Sequence, residues 1–463
     1  MSTRRVSPDQ ADRPTQGVNH EPGYRNLGGP EGTGPGAPVS TQQQGGFRYG
    51  MRALRHRDFR IFLLGALASN SGTWLQNLAV PYVLFELTEK SIWVGLAGFA
   101  QFIPSFLLGP LGGSLADRRD RRRILIATQA AMAIAALALW GVWVAGWHSP
   151  YLILAITAAT GVFSGLMIPS WQAFVPALVP KDDLSSAITL NSTQFNAARA
   201  VGPALAGVLL AVAGPGWAFF LNAVSFLAVI ASLLVVRPRT TTNPGAEGPA
   251  ESVLQSLRSA LVYIRSQTGV LVSILCAILV AFFGNPITQF TVVFAGQVYH
   301  AGPRVLGVLA AAVGTGAIMM APVLSTWDTR VPRSTMVRWG LPLYALAVIG
   351  FGAAPNWILG LIALLAVGAG FLAVIAVTHT AVQMIVTDQM RGRVMSARVM
   401  GFTLAFPVGS LIQGSLADVI GPQLTVIASG WILLIVALVF ITRRGLLETI
   451  DRDTDDLADQ YPT

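Results

Sequence analysis

This 463-residue chain is short of the residues that soluble proteins place on their surfaces. Asp, Glu, Lys and Arg together make up 11% of it, against about 25% in an ordinary soluble domain, so water is not its main solvent. It has one cysteine, Cys276, inside an apolar run, which excludes an intrachain disulfide and gives no metal or redox signature. There is no Gly-x-x-x-x-Gly-Lys-Ser/Thr loop to drive motion with a nucleotide, no Gly-x-Ser-x-Gly elbow for hydrolysis and no paired Cys/His cluster for a metal. Neither an enzyme nor a cofactor is expected. The N-terminus lacks the apolar core of a secretory signal. Residues 1–50, rich in Gly, Pro, Gln and Ser, read as a disordered cytoplasmic tail.

What the chain has in abundance is apolar length. Hydrophobic residues reach 53% and mean hydropathy is +0.58. A spanning helix needs about 20 mainly apolar residues. Twelve such runs are predicted, at about 59–86, 92–116, 124–146, 150–179, 184–213, 216–236, 269–297, 304–326, 334–354, 356–386, 393–420 and 422–442. They group into an N-terminal half, 51–236, and a C-terminal half, 269–443, joined by a linker over 237–268 and followed by an acidic, solvated tail over 444–463. All but Lys90, Arg304 and Arg199 of the 31 basic residues fall in the tails and alternate loops, with Arg60, Arg338, Arg393 and Arg398, at the inner ends of their spans, counted to the adjoining tail or loop. Basic loops stay inside, so both termini are expected in the cytoplasm. The same placement explains the net charge of +9 without a nucleic-acid partner.

Between spans two and three, Gly113 to Arg123 packs five arginines and two aspartates into one short loop. Small residues for close helix contact, followed by charges that can pair and re-pair, suit a joint that flexes at a membrane surface. In the linker, Leu254, Leu257, Leu261 and Ile264 recur at helical spacing, with Arg258 and Arg265 on other faces. That pattern predicts an amphipathic helix lying on the inner membrane surface, with a partner-binding helix as the alternative. The halves echo each other, as transporter repeats do. Phe195, Val201, Gly202 and Gly207 share their spacing with Phe402, Val408, Gly409 and Gly414, and Asp117, Arg119 and Arg122 share theirs with Asp328, Arg330 and Arg333.

These motifs resemble the major facilitator superfamily over about residues 52–445. Gly113 to Arg123 is similar to its loop signature Gly-x-Leu-Ala-Asp-Arg-x-Gly-Arg-Arg, with Asp120 where Gly is usual. Gly72-Thr73-Trp74-Leu75-Gln76, Gln101-Phe102-Ile103-Pro104 and Arg391-Gly392-Arg393-Val394 resemble a bacterial subgroup that holds the enterobactin exporter and macrolide-efflux proteins. Gly202 to Gly207 is similar to the span-five motif of antiporters, with Ala198 and Ala206 where Gly often stands. The resemblance implies an all-α membrane fold of twelve transmembrane helices in two pseudo-symmetric halves. It also implies a cytoplasmic gate of Gly113, Asp117, Arg118, Arg122 and Arg393, in which Asp117 faces the positive start of span eleven.

Inside the membrane the sharpest residue is Arg199, near the middle of span five, where a charge costs about 2.5–3.5 kcal/mol on insertion scales. Ser192, Asn196, Arg199 and Pro203 share one helical face. Arg199 reads either as a cationic anchor for an anionic or polar substrate or as a structural arginine bonded to backbone carbonyls or to a fixed carboxylate. Span one adds Asn70, Thr73, Trp74 and Asn77; span four, Trp171 and Gln172; span seven, Asn285, Thr288 and Gln289 beside Pro286; span ten, His379 and Gln383. Each alone could be helix–helix glue. Contributed together, they point to a central aqueous cavity. Proton coupling has only weak candidates in Glu86, His379 and Asp418.

The expectation is a secondary transporter working by alternating access, as a monomer in the lipid bilayer. Its cargo would be a hydrophobic or amphipathic small molecule of the drug or siderophore class, exported against protons. An importer or lipid mover on the same scaffold, and a transporter-like receptor that binds without moving its ligand, are the alternatives.

Overall fold

A computed structural model describes residues 50–239, 253–327, 330–443 and 445–451. Twelve long helices carry the fold: α1 Arg57–Thr88, α2 Ser91–Arg118, α3 Arg121–Val144, α4 Pro150–Phe174, α5 Leu184–Val212, α6 Pro215–Val235, α7 Thr268–Val298, α8 Pro303–Trp327, α9 Arg333–Ala353, α10 Trp357–Ile385, α11 Asp388–Ile420 and α12 Pro422–Thr442. No strand occurs among the described residues. Among those residues, eleven helices, α2 to α12, are long and apolar enough to cross a membrane. The remaining one, α1, has 32 residues but is less apolar, because Asn70, Gln76 and Asn77 interrupt it. Those amides have partners on neighbouring helices: Asn70 Nδ2 donates to Gln194 Oε1 (3.2 Å), Asn222 Nδ2 to Gln76 Oε1 (2.7 Å) and Gln101 Nε2 to Asn77 Oδ1 (2.6 Å). Polar groups in hydrocarbon must be satisfied internally, and this is how α1 crosses.

Local sequence explains the ends. Asp120 caps α3 by accepting from Arg123 N (3.1 Å), and Asn356 caps α10 by accepting from Leu359 N (3.0 Å), each taking up a backbone donor that the first turn leaves unpaired. The two shortest joints share one chemistry. Gly214 (φ 81°) and Gly421 (φ 89°) take positive φ before Pro215 and Pro422, and Pro suits the first helical position. These turns join α5 to α6 and α11 to α12, equivalent places in the two halves.

The packing repeats as well: α2 against α4 matches α8 against α10, and α3 against α6 matches α9 against α12. The halves meet through α2 with α11 and α5 with α8. Helix α7 is uneven, with turns of π-helix at Val280–Gly284 and Phe294–Val298 around Asn285-Pro286. Such bulges, with Pro, are where helices bend.

A linker helix, Val253–Ser266, forms as the spacing predicts and packs on α11. Ala260 and Ile264 are buried while Leu261 and Val262 are exposed, and the Tyr263 hydroxyl accepts from Thr387 N (3.4 Å). Leu254 lies outside the residues whose side chains are described. So do the tail 1–49, residues 452–463 and Asp328, so the match of Asp117 to Asp328 has no structural counterpart here.

The C-terminal tail departs from expectation. Residues 445–451 pack onto the fold: Leu447 and Ile450 are buried, and the Asp451 carboxylate accepts from Arg333 N (3.1 Å) and Ser334 N (3.3 Å) at the start of α9. The acidic residues there cap a helix, and Glu448 pairs with Arg338. The Glu448 backbone amide, and then Arg338, hold the Glu448 carboxyl below the usual carboxylate range. Such a group stabilises the fold above its ordinary pKa and loses that contribution as pH falls through the lowered value. Glu448→Gln is expected to melt slightly below the parent protein at neutral pH, with the two melting curves converging in acid. A constant offset down to about pH 3 would contradict this.

Candidate functional site

A cavity of about 670 Å³ lies between the two halves. Helix α1 supplies Asn70, Thr73, Trp74 and Asn77, α4 supplies Trp171 and Gln172, and α5 supplies Ser192, Asn196, Arg199 and Pro203. Helix α7 supplies Asn285, Thr288 and Gln289. The helical face predicted on α5 therefore lines one wall, because i, i+4, i+7 and i+11 fall on one stripe. Phe371 of α10 and Phe402, Thr403 and Phe406 of α11 complete the other side.

Arg199 is the only charged side chain among the lining residues. Its Cζ sits 5.5 Å from the ring centroid of Trp74 and 5.5 Å from that of Phe371, so the cation is held between one aromatic from each half. Among the described residues it has no hydrogen bond or ion pair with a protein group. A guanidinium carries five N–H donors and no acceptor. With aromatic rings beside it and no protein acceptor, it keeps its donors for whatever enters. That arrangement can take an anionic or strongly accepting group edge-on, bidentately.

His379 and Gln383, expected in this cavity, do not line it. They serve a second buried arginine instead. Arg398, counted by sequence to a cytoplasmic loop, lies inside α11 and is 5% exposed. Its Nη1 donates to His379 Nδ1 (3.0 Å), and its Nη2 donates to Ile375 O (3.2 Å) and Thr378 Oγ1 (3.4 Å). His379 Nε2 lies 3.1 Å from the Gln383 side-chain amide. Arg398 is thus the structural arginine of the fold, tied to the backbone and side chains of α10. The signal for it in the sequence is the face Ile375, Thr378, His379 and Gln383, which offers acceptors one turn apart.

The end of the bundle opposite the described chain termini, here the far end, is closed. There Asp418 reaches from α11 to the first turn of α2, accepting from Ser91 N (2.6 Å) and Ile92 N (3.1 Å). Gln297 Nε2 donates to Glu89 O (3.1 Å), Gly207 of α5 abuts Gly307 of α8, and Phe102 packs edge-on against Phe406 at 5.1 Å. Glu86 is exposed at the end of α1 and does not line the cavity.

At the near end the expected gate residues are apart. Gly113 meets open space, and Asp117 and Arg118 are exposed. Arg122 Nε donates to Leu233 O (2.5 Å) and its Nη2 to Leu234 O, which satisfies carbonyls left free at the end of α6. Arg393 Nη1 donates to Ser259 Oγ of the linker helix (3.4 Å). The pentapeptide Gly-Ser-Leu-Ala-Asp occurs twice, at 113–117 and at 414–418, a repeat that gains meaning only from where the structure puts its two copies.

Two six-helix halves around a cavity lined by amides, aromatic rings and one arginine, shut at one end only, define a membrane transporter rather than an enzyme. The chain belongs to the transmembrane secretion effector family of major facilitator transporters, whose model matches residues 50–462. It is 27% identical over 391 residues to the MFS-type transporter YfiS of Bacillus subtilis, covering 82% of this chain and 92% of that one. It is 26% identical over 423 residues to the enterobactin exporter EntS of Salmonella typhi, covering 87% and 96%. In fold it is similar to a bacterial homologue of the human lysosomal transporter Spinster, solved inward-facing and unoccupied, with a TM-score of 0.67 at 17% identity over 88% of this chain and 99% of that one.

Proposed function

We propose that this protein exports an amphipathic small molecule of the drug or siderophore class in exchange for protons, alternating access across the plasma membrane of a bacterium. The observation that carries the reading is Arg199, unpaired with any described protein group and held between Trp74 and Phe371 in a cavity of about 670 Å³. That volume lies within the range of drug-sized ligand sites, about 300–1,000 Å³, and the mixed aromatic and amide lining suits a molecule with an apolar body and an anionic edge. The likeness to an enterobactin exporter supports the substrate class and the direction. The arginine-rich loops support cytoplasmic termini, which makes the near end the cytoplasmic one and the structure inward-open, with the linker helix on the inner surface.

Of the coupling candidates, Asp418 and His379 are already engaged in contacts that hold the present conformation. A proton taken up there would act through the gates and helices rather than by touching substrate. The monomer contains the whole cavity. The test is reconstitution in liposomes with an imposed pH gradient, following lipophilic and siderophore-like compounds. Movement out of the near-end compartment that scales with the gradient is the expected result. Movement indifferent to the gradient removes the antiport, movement only in the opposite sense makes the protein an importer, and binding without movement makes it a receptor.

A further inference from the structure

The doubled pentapeptide is engaged at one copy and idle at the other. At the far end, the Asp418 carboxylate spans the two halves, each oxygen taking one backbone N–H from the first turn of α2. Those donors have no partner within their own helix, and the positive end of the helix favours an anion there. Gly414, four residues earlier, allows the approach: an added Cβ would lie 2.9 Å from Ser91 O. On the facing helix, a Cβ on Gly95 would come 2.5 Å from Ser410 O. At the near end the same five residues, Gly113 to Asp117, show the reverse. Gly113 has nothing within 4 Å, and Asp117 is exposed.

Helices α2 and α11 run antiparallel. Ser91 meets Asp418, Gly95 meets Ser410, and Phe102 meets Phe406. At the far end the start of α2 is therefore beside the end of α11, and each of the two helices carries one copy of the pentapeptide towards its C-terminal end. We propose that Asp418 is a positioning residue for transport: it latches the far end shut through the start of α2, as the far-end counterpart of the near-end contact that the family resemblance implies for Asp117 with the start of α11, so that one latch must open before the other closes. The two carboxylates never meet substrate. They set the ratio of the two access states, and a ligand shifts that ratio only through its unequal affinity for them.

The inference rests on alternating access, and the experiment separates the two. Spin labels at Ile188 and Met319 report the near end, and labels at Val212 and Arg304 the far end; all four residues are exposed, while the native Cys276 is buried. Distances are measured on the full chain in lipid nanodiscs. Asp418→Ala is expected to move the population toward a longer far-end distance by about fivefold, equivalent to about 1 kcal/mol. Asp117→Ala should move it the other way by a similar factor, and the double variant should return near the parent ratio. A residue of purely structural importance would lower yield or melting temperature without that compensation.

If Asp418→Ala does not fold, Asp418→Asn, which keeps an acceptor but no charge, should shift the ratio the same way by less. Unchanged distances in Asp418→Ala, or in Asp418→Asn where that is the variant that folds, would overturn the latch. Distances that redistribute in no variant, nor with any transported compound, would overturn alternating access itself.

Discussion

Arg199→Ala is expected to abolish recognition of the anionic group while leaving the fold as stable as before, or more so. A hydrogen bond to a charged group contributes about 1.5–3 kcal/mol, so loss of the fork should weaken binding by roughly 10- to 150-fold. Arg199→Lys keeps the charge but loses the planar fork, and it should fall between the two. Stability is the discriminating readout. A guanidinium without a carboxylate is costly in the membrane interior, so its removal should not lower the melting temperature. Arg398 is the internal control. It is buried and bonded to Ile375, Thr378 and His379, so Arg398→Ala should cost stability by leaving those acceptors bare. If Arg199→Ala instead melts early and binds normally, Arg199 is structural and the substrate reading fails.

The second large effect is expected at Gly207. A Cβ there would come within 2.5 Å of Gly307 Cα and 2.7 Å of Pro303 O, and no side chain can move aside because the obstacle is backbone. Small residues at such crossings are what let membrane helices approach. Gly207→Leu must therefore separate α5 from α8 at the far end. Overpacking of this kind costs about 1–3 kcal/mol, enough to invert a modest preference between two access states. Transport should be lost, and the far end should become reachable by an impermeant thiol reagent at an introduced cysteine. Gly307→Leu should give the same phenotype, since each glycine is the other's obstacle. Gly113→Leu, with open space around it, should leave the present state undisturbed. If Gly207→Leu transports at the parent rate, the α5–α8 contact is not part of the closure.

The helices and their grouping are legible in the sequence because the membrane imposes a length and a polarity that few other constraints mimic. The cavity is legible in part for a related reason: Asn70, Trp74, Asn77, Gln172, Asn196, Arg199, Asn285 and Gln289 are anomalous in hydrocarbon, and all eight line it. Phe371, Phe402 and Phe406 give no warning, because a phenylalanine in an apolar helix is ordinary on any face. His379 and Gln383 mislead because polarity alone does not say whether a side chain faces a void or a neighbour, and here the neighbour is Arg398. That arginine escapes notice because a charge near a predicted helix boundary passes for a loop residue. The tail residues Glu448 and Asp451 pass for solvated acid because their partners, Arg338 and the start of α9, are more than a hundred residues away in sequence.

The cavity lining holds one fixed charge and no carboxylate. On the proposed cycle, the site without substrate is net positive and faces first one side and then the other. With a monoanion bound, the same site would be neutral. A membrane potential acts on a moving charge by about 2.3 kcal/mol per 100 mV, so voltage would bear on the return step, made without substrate, and leave the substrate-loaded step nearly untouched. The lone guanidinium would thereby make the reset, rather than the delivery, the electrogenic half of the proposed cycle.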